Sequence, residues 1–352
     1  MEARIAEAAG LRFESITAGK LRRYGDRSLI TKLMDVATLG KNARDLTRVV
    51  KGSTQSLRIL RRFDPDVIFI KGGYVGLPVG LAAGLLRLPY VIHESDMRPG
   101  LTNRILAKRA TKVAVGFPAK LYKTWVQLND KLVYTGNPIR RELLKTHRLE
   151  GLTKFKLTTE LPVILVVCGS QGSQAINQVV VDSLAELTQR YQIIHVTGES
   201  NIEDVRFKVS RLGLKYPKRY QAQSFLSDTM SYALAAADLV IGRGGANTFS
   251  ELAALAKPAI IVPHPSLEDQ VLNATVLARA GAIKVIPQAR LNPQSLTAQV
   301  DQILGSEAEQ AALSKAIADY ELADADQQLA KLILASARER TETEQVEGID
   351  GD

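Results

Sequence analysis

Val163-Ile-Leu-Val-Val-Cys-Gly-Ser-Gln-Gly-Ser173 is the stretch whose reading decides the fold. Its apolar run Val163–Val167 has no polar alternation, so it predicts a strand buried on both faces, as in a parallel sheet. The small residues from Cys168 to Ser173 predict a tight turn, and the amphipathic run behind them predicts a helix over Gln174–Arg190. A second unit of this kind is Gly242-Arg-Gly-Gly-Ala-Asn-Thr-Phe-Ser-Glu-Leu252, which follows the apolar run Asp238–Ile241 and opens a helix over Ala246–Ala256.

Outward from these two units the alternation continues. Strands are expected at Gln192–Val196, Ala259–Val262 and Ile283–Ile286, with a helix over Gln270–Ala280. In the first half they are expected at Asp66–Ile70, Tyr90–His93, Lys112–Gly116 and Leu132–Thr135. Short apolar runs alternating with long amphipathic ones predict an α/β chain with parallel sheets. A length of 352 residues fits two such domains, and the polar stretch Leu144–Leu161 is the expected break between them. Ligands of two tandem open sheets gather at the carboxyl ends of their strands, facing a shared cleft.

Charge divides the chain as the strands do. Residues 1–150 hold 28 Lys+Arg against 13 Asp+Glu, whereas the remaining residues hold 18 against 24. The first half is therefore drawn to polyanions: anionic lipid, nucleic acid or a phosphorylated substrate. Nucleic acid is set aside, because no zinc finger, RNP-like strand or aromatic interleaving of the basic residues is present. Over residues 28–62, apolar residues recur at helical spacing beside Arg44, Arg48, Lys51, Arg58, Arg61 and Arg62. Two readings of that stretch stand: a pair of surface helices on the first sheet, or a face resting on an anionic membrane. No window approaches the ~18 apolar residues of a spanning helix, and Cys168 is the only cysteine, which excludes an internal disulfide. A cytoplasmic protein is expected.

Three loops can carry chemistry. Gly169 and Gly172 let the backbone approach a ligand, Ser170 and Gln171 add polar groups, and the helix start behind them favours a pyrophosphate. In the second loop, Gly245 and Ala246 open the helix, Arg243 stands beside the glycines, and Thr248 and Glu251 follow within its first turns. A carboxylate at Glu251 can accept both hydroxyls of a ribose. The third, Asp269-Gln270-x-x-Asn273, gathers a carboxylate and two amides suited to sugar hydroxyls. Each alone also reads as ordinary turn or cap chemistry; the three together predict a nucleotide-diphosphate-sugar site.

Cys-Gly-Ser-Gln-Gly-Ser (168–173), Arg-Gly-Gly-Ala-Asn-Thr-Phe-Ser-Glu (243–251) and Asp-Gln-Val-Leu-Asn (269–273) resemble the donor motifs of the MurG family. The first half agrees through Lys-Gly-Gly-Tyr-Val (71–75), His-Glu-Ser-Asp (93–96), Pro-Gly-Leu-Thr-Asn-Arg (99–104) and Gly-Asn-Pro-Ile-Arg (136–140). The resemblance implies a GT-B architecture, two Rossmann-like domains facing a cleft. It also implies a hexosyltransferase of peptidoglycan synthesis, moving N-acetylglucosamine from UDP to an undecaprenyl-diphospho-muramoyl-pentapeptide (lipid I to lipid II) with inversion and without a cofactor or metal. Such an enzyme works as a peripheral protein at the cytoplasmic face of the membrane.

By motif, Gly169, Ser170, Gln171 and Gly172 then face the donor diphosphate, and Leu226 meets the uracil through its backbone. Arg243, Gly245, Ala246 and Thr248 flank the nucleotide, Glu251 holds the ribose, and Asp269, Gln270 and Asn273 hold the sugar. Gly73, Tyr74, Asn103 and Arg140 position the acceptor. Glu94, ahead of Asp96, is the expected catalytic base.

The domains implied are 1–143 for the acceptor and membrane, 144–318 for the donor, a helix over 319–340 packing back on the first domain, and a disordered acidic tail over 341–352. The family's opening strand and Gly-Gly-Thr-Gly-Gly-His loop have no counterpart in the chain, so the first domain is expected to be truncated. Two alternatives remain from the sequence: a related transferase with another lipid acceptor such as diacylglycerol, and a non-catalytic or partner-completed donor-binding subunit.

Overall fold

In the computed structural model, ten strands form two all-parallel sheets, each wrapped by helices. Residues 3, 6–7, 9–19, 36–128, 130–169, 171–320, 322 and 324–349 are described. The first sheet has the order β1-β2-β3-β4, from β1 (Ile68–Ile70), β2 (Tyr90–Glu94), β3 (Lys112–Val115) and β4 (Leu132–Tyr134). α1 (Val36–Phe63) packs on α2 (Gly73–Leu85), and α3 (Leu101–Leu106) follows β2. α1 is one continuous helix from Val36, where the sequence reading expected a pair over 28–62; residues 28–35 lie outside the described residues.

After β4 the chain crosses through α4 (Glu142–Lys145) and α5 (Arg148–Lys154). The second sheet comprises β5 (Val163–Val167), β6 (Gln192–Val196), β7 (Tyr220–Gln223), β8 (Leu239–Gly242), β9 (Ala259–Ile261) and β10 (Lys284–Val285). Their order is β10-β9-β8-β5-β6-β7. Its helices are α6 (Gln174–Leu187), α7 (Ile202–Ser210), α8 (Met230–Ala236), α9 (Ala246–Ala254), α10 (Glu268–Arg279), α11 (Pro293–Leu304) and α12 (Glu307–Ala318). β5 pairs β6 on one side and β8 on the other, so the winding reverses there. Both glycine turns leave the carboxyl ends of β5 and β8, at this switch point, where an open sheet has a crevice.

Strand β7 escaped the sequence reading because Tyr-Gln-Ala-Gln is an edge strand, half-buried throughout and without the apolar run that marks its neighbours. The crossover helices α4 and α5 both pack against α8 of the second domain. Bidentate Arg148 fixes this join, with Nη1 and Nη2 at 2.7 and 2.9 Å from the Asp238 carboxylate.

α13 (Ala325–Ile349) returns to the first sheet, placing Leu329, Leu332 and Ile333 against Val67, Val91 and Ala114. It runs on to Ile349, through the stretch read as a disordered acidic tail from 341. Glu and Gln there are good helix formers, so the helix begun by the apolar turns that dock on the sheet continues. Residues 350–352 lie outside the described residues.

Candidate functional site

Below the β5 and β8 turns lies a cavity of about 280 Å³. Val167, Leu226, Leu234 and Val240 give it an apolar floor, while Gly169, Thr248, Glu251 and Arg140 give it a polar rim. The turn over it is fixed by shape. Gly169 and Gly172 have φ of +75° and +68°, a region glycine enters without strain. A Cβ on Gly172 would collide with the Thr197 carbonyl.

That carbonyl accepts from Asn177 Nδ2 at 2.9 Å and Asn201 Nδ2 at 3.1 Å, so the platform under the turn is itself braced. Asn177 is held in turn by His195, whose Nε2 donates to its Oδ1 (3.0 Å) while Nδ1 accepts from Tyr220 (2.9 Å). Burial drives the His195 pKa down to about 3, so the ring is neutral and structural. Ser173 caps α6, accepting from Ile176 N at 3.4 Å, so the amide end of that helix follows directly on the glycine turn.

The donor residues expected from sequence divide into those on the cavity and those used elsewhere. Gly169, Leu226, Thr248 and Glu251 line it, and Gly245 and Ala246 begin α9 beside it. Ser170 lies outside the described residues. Gln171 is exposed, with its carbonyl held by Asn201 at 3.2 Å. Arg243, read as flanking the nucleotide, is engaged on three sides: Nη1 donates to Val262 O (2.9 Å) and Gln288 Oε1 (2.8 Å), and Nη2 to Ser173 Oγ (2.6 Å). It ties the two turns together because its side chain lies along the carboxyl end of the sheet. Gln270 Oε1 accepts from His264 N at 3.1 Å. Asp269 is half-buried, with Oδ1 out of water and unpartnered among the described residues.

A second cavity, about 400 Å³, opens in the first domain between Lys71-Gly-Gly-Tyr74, Glu94-Ser-Asp96 and Gly100–Asn103. Both oxygens of Glu94, the preferred base from sequence, are engaged by the segment that follows β2. Oε1 accepts from Asp96 N (3.2 Å), and Oε2 from Gly100 N (2.7 Å) and Asn103 Nδ2 (2.9 Å). Burial raises its pKa against these hydrogen bonds. Glu94 holds the loop after β2, a use of the carboxylate that linear spacing does not reveal. Asn103 is likewise buried, with Nδ2 shared between Glu94 and the His93 carbonyl (3.0 Å). Gly73 and the half-exposed Tyr74 stand at the rim.

The domains touch through the carboxyl-end loops of both sheets. Asn273, fully buried, donates from Nδ2 to Asp96 Oδ1 (2.8 Å) and accepts at Oδ1 from Met97 N (3.1 Å). Both of its polar atoms are thus turned to the first domain, and not to a sugar as the sequence reading had them. Asn137 bridges Ser95 O (3.2 Å) and Ser250 Oγ (3.1 Å), and Arg98 pairs with Glu268.

Arg140 was assigned to the acceptor, yet its Nη2 lies 3.8 Å from Glu251 Oε1 on the second-domain cavity. The segment behind β4 has already crossed the cleft at that point. Asp96 has a raised pKa through burial and the nearby Asp269, opposed by Asn273 and Lys71. Sequence reasoning quoted Lys71 and Asn137 within motifs without giving either a role, and passed over Asn177 and Asn201, whose places at a helix start and after a strand were the only signal. Among the described residues no group of three or more His, Cys, Asp or Glu is disposed to hold a metal ion.

The arrangement can therefore bind an anionic, hydroxyl-rich ligand on one side of the cleft and present a basic carboxylate to a second ligand on the other. Comparison with known proteins agrees. Residues 1–115 match the glycosyltransferase family 28 N-terminal domain and residues 163–329 its C-terminal domain. A protein of Clostridium novyi is 37% identical over 308 residues, covering 86% of this chain and 79% of its own. One of Lachnospira eligens is 37% identical over 306 residues, with 86% and 80% covered. Both are named UDP-N-acetylglucosamine–N-acetylmuramyl-(pentapeptide) pyrophosphoryl-undecaprenol N-acetylglucosamine transferase. Among solved structures, Acinetobacter baumannii MurG superposes with a TM-score of 0.69 at 26% identity, covering 95% of this chain and 88% of that one. A Neisseria meningitidis UDP-GlcNAc 2-epimerase bound to UDP-GlcNAc shares the fold, with a TM-score of 0.59 at 15% identity over 82% of this chain and 81% of its own.

Proposed function

The chain belongs to the MurG family of glycosyltransferase family 28, and from that membership we propose that it transfers N-acetylglucosamine from UDP-N-acetylglucosamine to lipid I, forming lipid II. The observation that carries the reading is the meeting of Asp96 and Asn273, which sets a carboxylate of the first-domain cavity against α10 of the second domain.

The donor nucleotide occupies the second-domain cavity, its ribose on Glu251 and its diphosphate under the Gly169–Gly172 turn, near the first amides of α6 and α9. Arg140 joins the diphosphate from the crossover. The acceptor sugar enters the first-domain cavity, and Asp96 is the base. Its Oδ1 is held by Asn273, while its other oxygen has no hydrogen-bond partner among the described residues. As the acceptor hydroxyl attacks the anomeric carbon opposite the diphosphate, its proton passes to Asp96. The new C–O bond forms, the bond from anomeric carbon to phosphate oxygen breaks, and UDP departs with the electron pair. Fixed amide dipoles and Arg140 stabilise the developing charge on UDP.

The basic first domain rests on the anionic membrane that carries the acceptor. Exposed Leu46 and Val50 on α1, with Arg44 and Lys51 beside them, support this orientation. No helix among the described residues is long and apolar enough to cross a membrane. Replacing Leu46 and Val50 together by Glu should release the chain from anionic vesicles in a sedimentation assay; unchanged binding refutes that orientation. The transferase reading itself is tested by incubating the chain with labelled UDP-N-acetylglucosamine and a short-chain lipid I analogue. Label should pass to the analogue, and its failure to do so overturns the reading.

A further inference from the structure

Lys71 follows β1 and reaches across the end of β2, where its Nζ donates to His93 Nδ1 and to Ser95 Oγ, both at 3.0 Å. The opposite nitrogen of the imidazole, Nε2, donates to the Gly136 carbonyl at 2.9 Å. That bond fixes the tautomer, so the lone pair of the ring is on Nδ1 and is covered by the ammonium. His93, fully buried, is therefore no proton acceptor for a substrate: it aims a lysine.

The nearby carboxylates do not neutralise that lysine by contact. Glu94 spends both oxygens on Asp96 N, Gly100 N and Asn103, and Asp96 Oδ1 is taken by Asn273. Among the described residues no carboxylate forms an ion pair with Lys71. An ammonium has three N–H donors; two go to neutral partners, and the residue lines the 400 Å³ cavity. A cation steered by uncharged groups to the wall of a cavity is arranged for an anion that arrives from outside. Glu94 and Asp96 act on it only through space, against the desolvation that lowers its pKa.

We propose that Lys71, aimed by His93 and Ser95, is the anion anchor of the first-domain cavity and binds the diphosphate of the acceptor. A compact ammonium suits a phosphoryl oxygen as a point charge, and Tyr74 at the rim leaves the cavity open to a long substrate. That the anion is the acceptor's diphosphate rests on the transferase reading; that an anion binds here does not.

The test uses the full chain with UDP present in excess to occupy the other cavity, and inorganic pyrophosphate as the probe in a calorimetric titration. Wild type should bind pyrophosphate, Lys71→Met should weaken it roughly tenfold or more, as expected for loss of a charge-assisted contact, and Lys71→Arg should retain most of it. In transfer assays Lys71→Met should raise KM for the lipid I analogue and leave KM for the donor unchanged. A lysine that merely braces the ends of β1 and β2 would lower the melting temperature without moving pyrophosphate affinity. Equal affinity in Lys71→Met, or no binding by wild type, overturns the proposal. Lysine-dependent pyrophosphate binding by a wild type that transfers no sugar would refute the transferase reading and keep the anion site.

Discussion

Arg140, on the segment that has crossed from the first domain, and Glu251 of α9 hold their charged atoms 3.8 Å apart over the second-domain cavity. Both groups are partly solvated, so the pair adds little to stability. Its consequence is for binding, because a ribose that takes Glu251 releases Arg140 toward the diphosphate. Glu251→Ala should raise the donor KM about tenfold to a hundredfold, from the loss of about 1.5–3 kcal/mol of charged hydrogen bonding. Arg140→Ala should also raise the donor KM and spare the acceptor KM. Steady-state kinetics with each substrate varied in turn checks both, and an acceptor-only effect of Arg140→Ala would return that residue to the acceptor side.

Asp96 and Glu94 are two residues apart and make opposite predictions. Asp96→Asn keeps an oxygen for the Asn273 amide but removes the base, so kcat should fall about a hundredfold to ten-thousandfold with donor affinity intact. Glu94→Gln must set its NH₂ group either against Asp96 N or against Gly100 N and Asn103 Nδ2, donor facing donor, so it should lower the melting temperature. If Asp96→Asn retained full kcat, the proton would have to go elsewhere.

The pH profile follows from the surroundings of the same carboxylate. Burial and Asp269 raise the Asp96 pKa, while Asn273 and Lys71 pull it down, leaving it above the ordinary 3.8. A base acts when ionised, so kcat/KM should fall as pH drops through this raised value. The acid limb should therefore stand above the normal aspartate range and move higher still in Lys71→Met, which removes a cation. A limb at the unperturbed position in both proteins would disconnect Asp96 from the rate.

Much of this frame was legible because burial on both faces leaves a signature: Val163–Val167 and Gln192–Val196 were read to their ends. β7 was not, since an edge strand needs no apolar run. Glycine turns at strand ends located the donor cavity for a similar reason, as backbone conformation restricts residue choice. Side-chain partners were a different matter. Glu94, Asn273 and Arg140 each had the right chemistry for a ligand, and the structure gives the first two to loops and the third to the opposite cavity. The partners of Asn273 and Arg140 lie more than a hundred positions away, at Asp96 and Glu251, and spacing along the chain carries no record of that. Those of Glu94 are local, but the closure of its loop is not written in the spacing either.

His195 offers a stability test independent of turnover. Its folded pKa is depressed to about 3 and that of His93 to about 4, both chiefly by burial, from an ordinary 6.5. Below pH 6.5 the unfolded chain takes up protons that the folded chain refuses, so stability present above 6.5 is lost as pH falls toward the folded values. At pH 5 each ring should cost about 2 kcal/mol relative to pH 7. Denaturant melts across that window should show the loss, and His195→Gln should flatten it by one group. An unaltered slope in His195→Gln would mean that the imidazole is not buried neutral.

Gly172→Ala probes whether the turn or its side chains bind the diphosphate. The residue sits at φ +68° with the Thr197 carbonyl where a Cβ would go, and Asn177 and Asn201 hold that carbonyl in place. An alanine can be accommodated only by lifting the turn off the end of β6, which moves the backbone away from its position over the cavity. Gly213 also has positive φ, +58°, but open space where its Cβ would lie, so Gly213→Ala is the control for backbone strain alone. Both variants should lose stability through the left-handed φ, by about 1 kcal/mol. Only Gly172→Ala should also lose UDP binding, measured by titration at a temperature where both remain folded. Equal UDP affinity in the two variants would mean that the turn serves the fold and not the diphosphate.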